Sequence, residues 1–357
     1  MGNKRKILPY IETIILALEK KEGRPLHMGD GFSGSGIVSR LFKKHASTLY
    51  TNDISNYSYT LNTCYLSNIS DCEKGAIQKH IDIANELAAN PNTKCTTPFI
   101  SGHWAPLETT IKETDRVYFT HSNGKRIDIY RSYIETLPEK IKPFLLGRLL
   151  VEASIHNNTS GHFSAFYKNG NIGQYGGKKK IDLGRIEKDI VLSLPVTLHN
   201  TCDVHIDKMD VIDWVKSIPE LDLVYFDPPY NKHPYNIYYF LLDIIQEWNT
   251  NISVPATTRG QPMGWSRSPY NSFKHAYKEF EKLIANTNAK YVLVSYNNGG
   301  IIPLDKMEEL LMRYGTVEIT PVQHKTYNRL KGISEYKRTK EKETIREFLW
   351  LLTKKKT

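Results

Sequence analysis

A short apolar run, a glycine-rich loop and an amphipathic helix succeed one another between residues 26 and 44, and the same unit then begins again. After the loop GDGFSGSG (29–36) comes IVSRLFKK (37–44), in which Ile37, Val38, Leu41 and Phe42 fall at helical spacing. Residues 48–51 are β-prone and end in Asn52-Asp53, ahead of a further helical stretch through Tyr59, Leu61 and Leu66. Strand alternating with helix predicts parallel strands joined by right-handed crossovers, with ligands gathering at the strands' carboxyl ends. The glycine loop and Asp53 would then share one rim. Upstream, Ile7, Leu8, Ile11, Ile14, Ile15 and Leu18 predict an amphipathic helix over 6–21.

The alternation resumes late in the chain. PVTLHN (195–200), LDLVYF (221–226), YVLVSY (291–296), GTVEIT (315–320) and EFLWLLT (347–353) read as strands, with helices over 211–218 and 238–248. The fold class expected is α/β, a mixed and mostly parallel sheet flanked by helices. Between 71 and 194 the pattern weakens. There Gly, Asn, Thr, Lys and aromatics dominate, and SGHFSAFYKNGNIGQYGGKKK (160–180) reads as an exposed basic loop system, so this region is expected to be an insertion.

A chain of 357 residues, 40% hydrophobic and 24% charged, has the composition of an ordinary globular protein. No stretch approaches the roughly 20 apolar residues of a membrane span, and the N-terminus lacks a signal-peptide pattern, so a cytoplasmic location is expected. Cys64, Cys72, Cys95 and Cys202 include no Cys-x-x-Cys pair, and the histidines no His-Glu-x-x-His, so reduced thiols and no metal are expected. The formal charge of +10 favours a polyanionic partner through counterion release, although basic proteins without such partners are common.

A glycine pair after a strand can be nothing more than a tight turn. GFSGSG also departs from the dinucleotide fingerprint, because Ser39 stands where the third glycine belongs. Asp53, about twenty residues on, could accept both hydroxyls of a ribose or could simply cap the next helix. Taken together, loop and acid favour an adenosine ligand without a diphosphate.

The run LDLVYFDPPY (221–230) ends an apolar strand in a carboxylate, two prolines and a phenol. Prolines fix φ and donate no amide hydrogen, which stops a strand; that leaves Asp227 and Tyr230 unexplained. An exocyclic amine on an aromatic base is a poor nucleophile, since its lone pair is delocalised into the ring. The Asp227 carboxylate and the Pro228 carbonyl can each accept one amine hydrogen and so favour a pyramidal nitrogen, while Tyr230 offers a ring for a base to stack on.

GNKRKILPYI, GFSGSG, NDIS, FDPPY and SYNNGG, in this order, resemble the D12-class, Dam-like adenine-specific DNA methyltransferases, including those of type II restriction-modification systems. The likeness covers roughly 1–70 and 195–357, with 71–194 matching loosely. It implies a Rossmann-like methyltransferase fold in the α arrangement, S-adenosylmethionine as donor, and base flipping. It implies a catalytic domain of 1–70 with 195–357, and an inserted target-recognition region over 71–194. By position, Asn3 and Lys4 would lie near the donor's methionine end. Asp30, Phe32, Gly34 and Gly36 would line its cleft, Asp53 would hold the ribose, and Asp210 would lie near the adenine. Asp227, Pro228 and Tyr230 take the roles derived above. Double-stranded DNA is the expected partner, with a cognate restriction endonuclease acting separately.

Contacts to DNA are expected from Lys178, Lys179 and Lys180, from Arg259, Trp265 and Arg267, and from Lys325 and Arg329 in HKTYNRLKG (324–332). A solvated charge run is the plain alternative for the lysines. N4 methylation of cytosine would use the same acceptor pair, and a recognition subunit without turnover would keep the fold.

Overall fold

The computed structural model describes residues 4–232, 234–262, 264, 267–322 and 347–355. Seven strands form one sheet: β1 (Leu26–Asp30), β2 (Ala46–Asn52), β3 (Asp203–Asp207), β4 (Leu221–Phe226), β5 (Ala289–Asn297), β6 (Gly315–Val322) and β7 (Glu347–Lys354). Their order is β3-β2-β1-β4-β5-β7-β6, and every neighbouring pair is parallel except the two made by β7. This is the mixed, mostly parallel sheet that the alternation predicts.

The central strand β4 is buried at all six residues, as a parallel strand covered on both faces must be. Helix α1 (Leu8–Glu22) turns Ile11, Ile15 and Leu18 onto one face of the sheet, where they join Leu26, Met28, Leu223 and Leu293. It starts two residues later than the spacing predicts, because Lys4–Lys6 forms a 3-10 turn ahead of it. The opposite face packs Trp214, Val224, Phe226, Val292 and Val294 against Phe280, Leu283 and Leu310.

The chain passes through β1, β2 and β3 to one edge and then returns to lay β4 on the other side of β1. Between β1 and β4, whose ends are in register at Asp30 and Tyr225, lies the topological switch point of the sheet.

Three sequence readings need correction. The strand expected at PVTLHN is irregular, with Val196 88% exposed, and the edge strand instead starts at Asp203, where Val204 and Ile206 alternate in register with β2. Residues 71–194 are more regular than their composition suggests: they hold α-helices at Asp71–Ala89, His121–Glu135 and Lys142–Ile155. With α2 at Ile37–His45, α3 at Asn56–Leu66, α4 to α6 the three just named, α7 at Val211–Ser217 and α8 at Tyr235–Glu247, the apolar residues of 71–194 pack in one cluster with Tyr57 and Leu61 of α3 and with Phe240, Leu241 and Ile245 of α8. Finally, the basic loop system buries its aromatic half, Phe163, Phe166 and Tyr167, and leaves Lys178, Lys179 and Lys180 exposed.

Candidate active site

The loop after β1 is shaped by two glycines in the left-handed region, Gly34 at φ +51° and Gly36 at φ +71°. A Cβ on Gly36 would meet Asn62 Oδ1 at 2.4 Å, whereas one on Gly34 would meet nothing within 4 Å and so would point into open space. Cross-links tie this loop to the end of β2. Ser33 N and Oγ both donate to Asn52 O at 3.0 Å, and Gly34 N donates to Asp53 Oδ2 at 2.8 Å. Asp53 Oδ1 accepts from Ser55 N at 2.9 Å, while Ser55 itself is the helix cap residue. Burial raises the Asp53 carboxyl, while the Ser55 and Gly34 amides and the Ser55 and Ser58 hydroxyls act against that rise.

Asp30, wholly buried at the end of β1, accepts from Ser39 Oγ at 2.6 Å, which explains a serine where a dinucleotide site has glycine. Asp30 Oδ1 has no partner. Burial pushes its carboxyl up to about 7, with the Asp227 and Asp53 carboxylates adding to the rise against the Ser39 bond. Phe32 stands edge-on to Phe226 (centroids 6.2 Å) and Tyr270 (5.4 Å), an aromatic wall beside the loop.

Asp227 leaves β4 next to this wall. Lys4 Nζ lies 2.9 Å from Asp227 Oδ1 and 2.5 Å from Glu347 Oε1, donates to Ser295 Oγ at 3.0 Å, and sits 5.6 Å from the centre of the Tyr230 ring. Burial pushes Asp227 up to about 6; the Lys4 ammonium works against that rise and the Glu347 carboxylate with it. For Lys4, burial acts downward, but Asp227, then Tyr225, Tyr230 and Glu347, override it and hold the ammonium well above its ordinary range. Tyr230 packs edge-on against Tyr296, and its carbonyl accepts from Ile301 N at 3.1 Å, so the SYNNGG turn props the FDPPY turn. Pro228 is buried.

The structure thus brings Lys4, Asp30, Phe32, Gly34, Gly36, Asp53, Asp227, Pro228 and Tyr230 to the carboxyl rim around the switch point. Asp210 is exposed and caps α7, accepting from Ile212 N at 2.8 Å. Arg259 and Arg267 are exposed. The loop carrying Arg259 is pinned to the helical region by Trp104 Nε1, which donates to Arg259 O, and by Arg116, which donates to Pro255 O (2.7 Å), Thr257 O (3.0 Å) and His103 O (3.1 Å). Asn3, Trp265, Lys325 and Arg329 lie outside the described residues. Sequence reasoning missed Glu347, Ser295 and Tyr225. A charged residue opening the apolar run EFLWLLT was the one available signal, and it did not say which end of the strand meets the rim.

The chain matches the model of the D12 class N6 adenine-specific DNA methyltransferases over residues 1–292, a span that runs through 71–194. The chain belongs to this family. It is therefore an enzyme that methylates adenine in DNA, which removes both the cytosine reading and the reading as an inactive recognition subunit. It is similar to the type II methyltransferase M.NlaIII of Neisseria lactamica, with 29% identity over 99% of this chain and 98% of the relative. It is also similar to M.CviAII of Paramecium bursaria Chlorella virus 1, at 26% over 92% of this chain and 91% of that protein. The modification methylase LlaI of Lactococcus lactis subsp. lactis is 28% identical over 92% of this chain, which spans about half (51%) of its length. No helix among the described residues is long and apolar enough to cross a membrane.

Proposed function

We propose that this enzyme takes the methyl group from S-adenosylmethionine, acts on an adenine extruded from duplex DNA, and marks DNA in the cytoplasm for a restriction-modification system with a separate endonuclease. The observation that carries the reading is the pairing of two buried acids across the switch point: Asp30, whose Oδ1 has no hydrogen-bond partner, and Asp227, whose Oδ1 meets Lys4 Nζ at 2.9 Å. The donor fits this cleft. Unpartnered Asp30 Oδ1 suits a cationic group, Asp53, oriented by the Gly34 and Ser55 amides, would accept from the ribose hydroxyls, and the space above Gly34 is open. Phe32, with Gly34 and Gly36, would line the cleft, and Lys4 would stand at its end nearest Asp227. When bound, the donor supplies an electrophilic methyl group on a sulfonium.

The chain's own residues do the rest. Asp227 and the Pro228 carbonyl each accept a hydrogen bond from the amine and turn the nitrogen lone pair toward the methyl group, and Tyr230 holds the base by its face; as the nitrogen–carbon bond forms the carbon–sulfur bond breaks, a neutral thioether leaves, and the surplus amine proton passes to water. Positioning of this kind supplies most of the acceleration, with no covalent enzyme intermediate. Residues 71–194 are read as the target-recognition region, with Lys178, Lys179, Lys180, Arg259 and Arg267 following phosphates, in keeping with the net charge of +10. The test is transfer of tritiated methyl from S-adenosylmethionine to unmodified duplex DNA, followed by digestion to nucleosides. Label in N6-methyladenine is expected; unlabelled DNA would overturn the reading.

A further inference from the structure

Glu347 opens β7, and β7 is antiparallel to β5, so its first residue arrives at the rim where the parallel strands end. Asn297 at the end of β5 is in register with Glu347, and Ser295 lies two residues back on the same face. Glu347 is 5% exposed. One of its oxygens, Oε1, accepts from both Lys4 Nζ at 2.5 Å and Ser295 Oγ at 2.6 Å. A carboxylate seldom leaves water without a partner, and here the partner is a cation already engaged with Asp227. Two buried carboxylates therefore share one ammonium, an arrangement that stability alone does not call for.

We propose that Glu347 is a positioning residue that holds the Lys4 ammonium between itself and Asp227, sharing the cation so that the Asp227 carboxylate is not committed to the lysine and stays able to accept from the substrate amine. The inference rests on the methyl-transfer reading of the site given above. A lone Lys4–Asp227 pair would commit the carboxylate to the lysine, and an Asp227 without Lys4 would take up a proton and become a donor. Either state would blunt the acceptor. With the cation divided, Asp227 Oδ1 meets Lys4 while that atom is closed to water, and 16% of the side chain remains accessible on its other atoms. Besides Lys4 and Glu347, the titratable groups that feel the Asp227 charge are Asp30 at the end of β1, Tyr225 on β4 and Tyr235 at the start of α8, while Tyr230 in its own turn faces Lys4.

The test compares the full chain with its Glu347→Gln variant, in which glutamine keeps the shape and the acceptor oxygen and removes the charge. Carboxyl carbon NMR reads the Asp227 titration directly, without donor or DNA. Removing the second carboxylate should lower the Asp227 midpoint by about one pH unit, and Lys4→Met should raise it. In methyl-transfer assays the acidic limb of kcat should move the same way in Glu347→Gln, with kcat down about tenfold or more and donor KM within about twofold. An Asp227 midpoint that is unchanged or raised in Glu347→Gln would overturn the proposal, as would a loss of kcat accompanied by a lower melting temperature and an unmoved limb. A wild-type chain that labels no DNA would instead sink the methyl-transfer reading, while the titration would still decide the part played by Glu347.

Discussion

Asp30→Asn tests whether the cleft carries a standing electrostatic cost in the absence of ligand. Asp30 is wholly buried, one of its oxygens has no partner, and its carboxyl is pushed up to about 7 from an ordinary value near 4. The folded chain thus holds this proton more tightly than the unfolded chain does. Stability falls as pH rises between those two values, and the loss is complete above about pH 7. At pH 5 the folded carboxyl is still protonated; by pH 8 the group has cost a further two units or so, at about 1.4 kcal/mol each, or roughly 3 kcal/mol. Asparagine keeps the Ser39 hydrogen bond but cannot ionise, and whatever its amide costs is the same at both pH values. Asp128 and Asp243, likewise raised by burial but not coupled to Asp30, are common to both chains and cancel. Denaturant unfolding of wild type and variant at pH 5 and pH 8 measures this double difference. The variant should gain about 3 kcal/mol relative to wild type between the two, while its affinity for S-adenosylmethionine falls. A gain below about 1 kcal/mol would show that the site does not burden the fold as the buried, half-satisfied carboxylate implies.

Three further outcomes are expected. Asp227→Ala should abolish methyl transfer with duplex affinity retained in a binding titration, and in wild type kcat should rise with pH through a midpoint near 6, where Asp227 becomes an anion. Gly34→Trp should eliminate the heat of S-adenosylmethionine binding in calorimetry, because the side chain fills the open space above the loop; its folding cost should stay near the ~1–2 kcal/mol of a left-handed non-glycine residue. Arg116→Ala removes three donors from main-chain carbonyls and frees the loop that carries Arg259, so DNA affinity measured by anisotropy should fall about tenfold, or ~1.4 kcal/mol, with donor affinity unchanged.

Much of this molecule was legible in one dimension because its signals are local. Helical spacing in 8–18 and 37–42, the buried run at 221–226 and the glycines before a helix each depend on residues a few positions apart. From these follow the parallel sheet and the shared rim that joins the glycine loop, Asp53 and Asp227. Where the local signal was diluted, the reading failed. PVTLHN has the β propensity of a strand but no neighbour to pair with, and the aromatics of 163–167 are buried by contacts with distant helices that composition does not reveal.

Glu347 marks the boundary most clearly. Nothing within several residues of it distinguishes an antiparallel strand from a parallel one, yet that direction decides whether its carboxylate meets Lys4, 343 positions away, or lies at the opposite end of the sheet. The acceptors and the cleft were written in residue type and spacing. The charge balance around Asp227 was set only when strand direction brought two ends of the chain into one low-dielectric site, where a single shared ammonium outweighs any local preference.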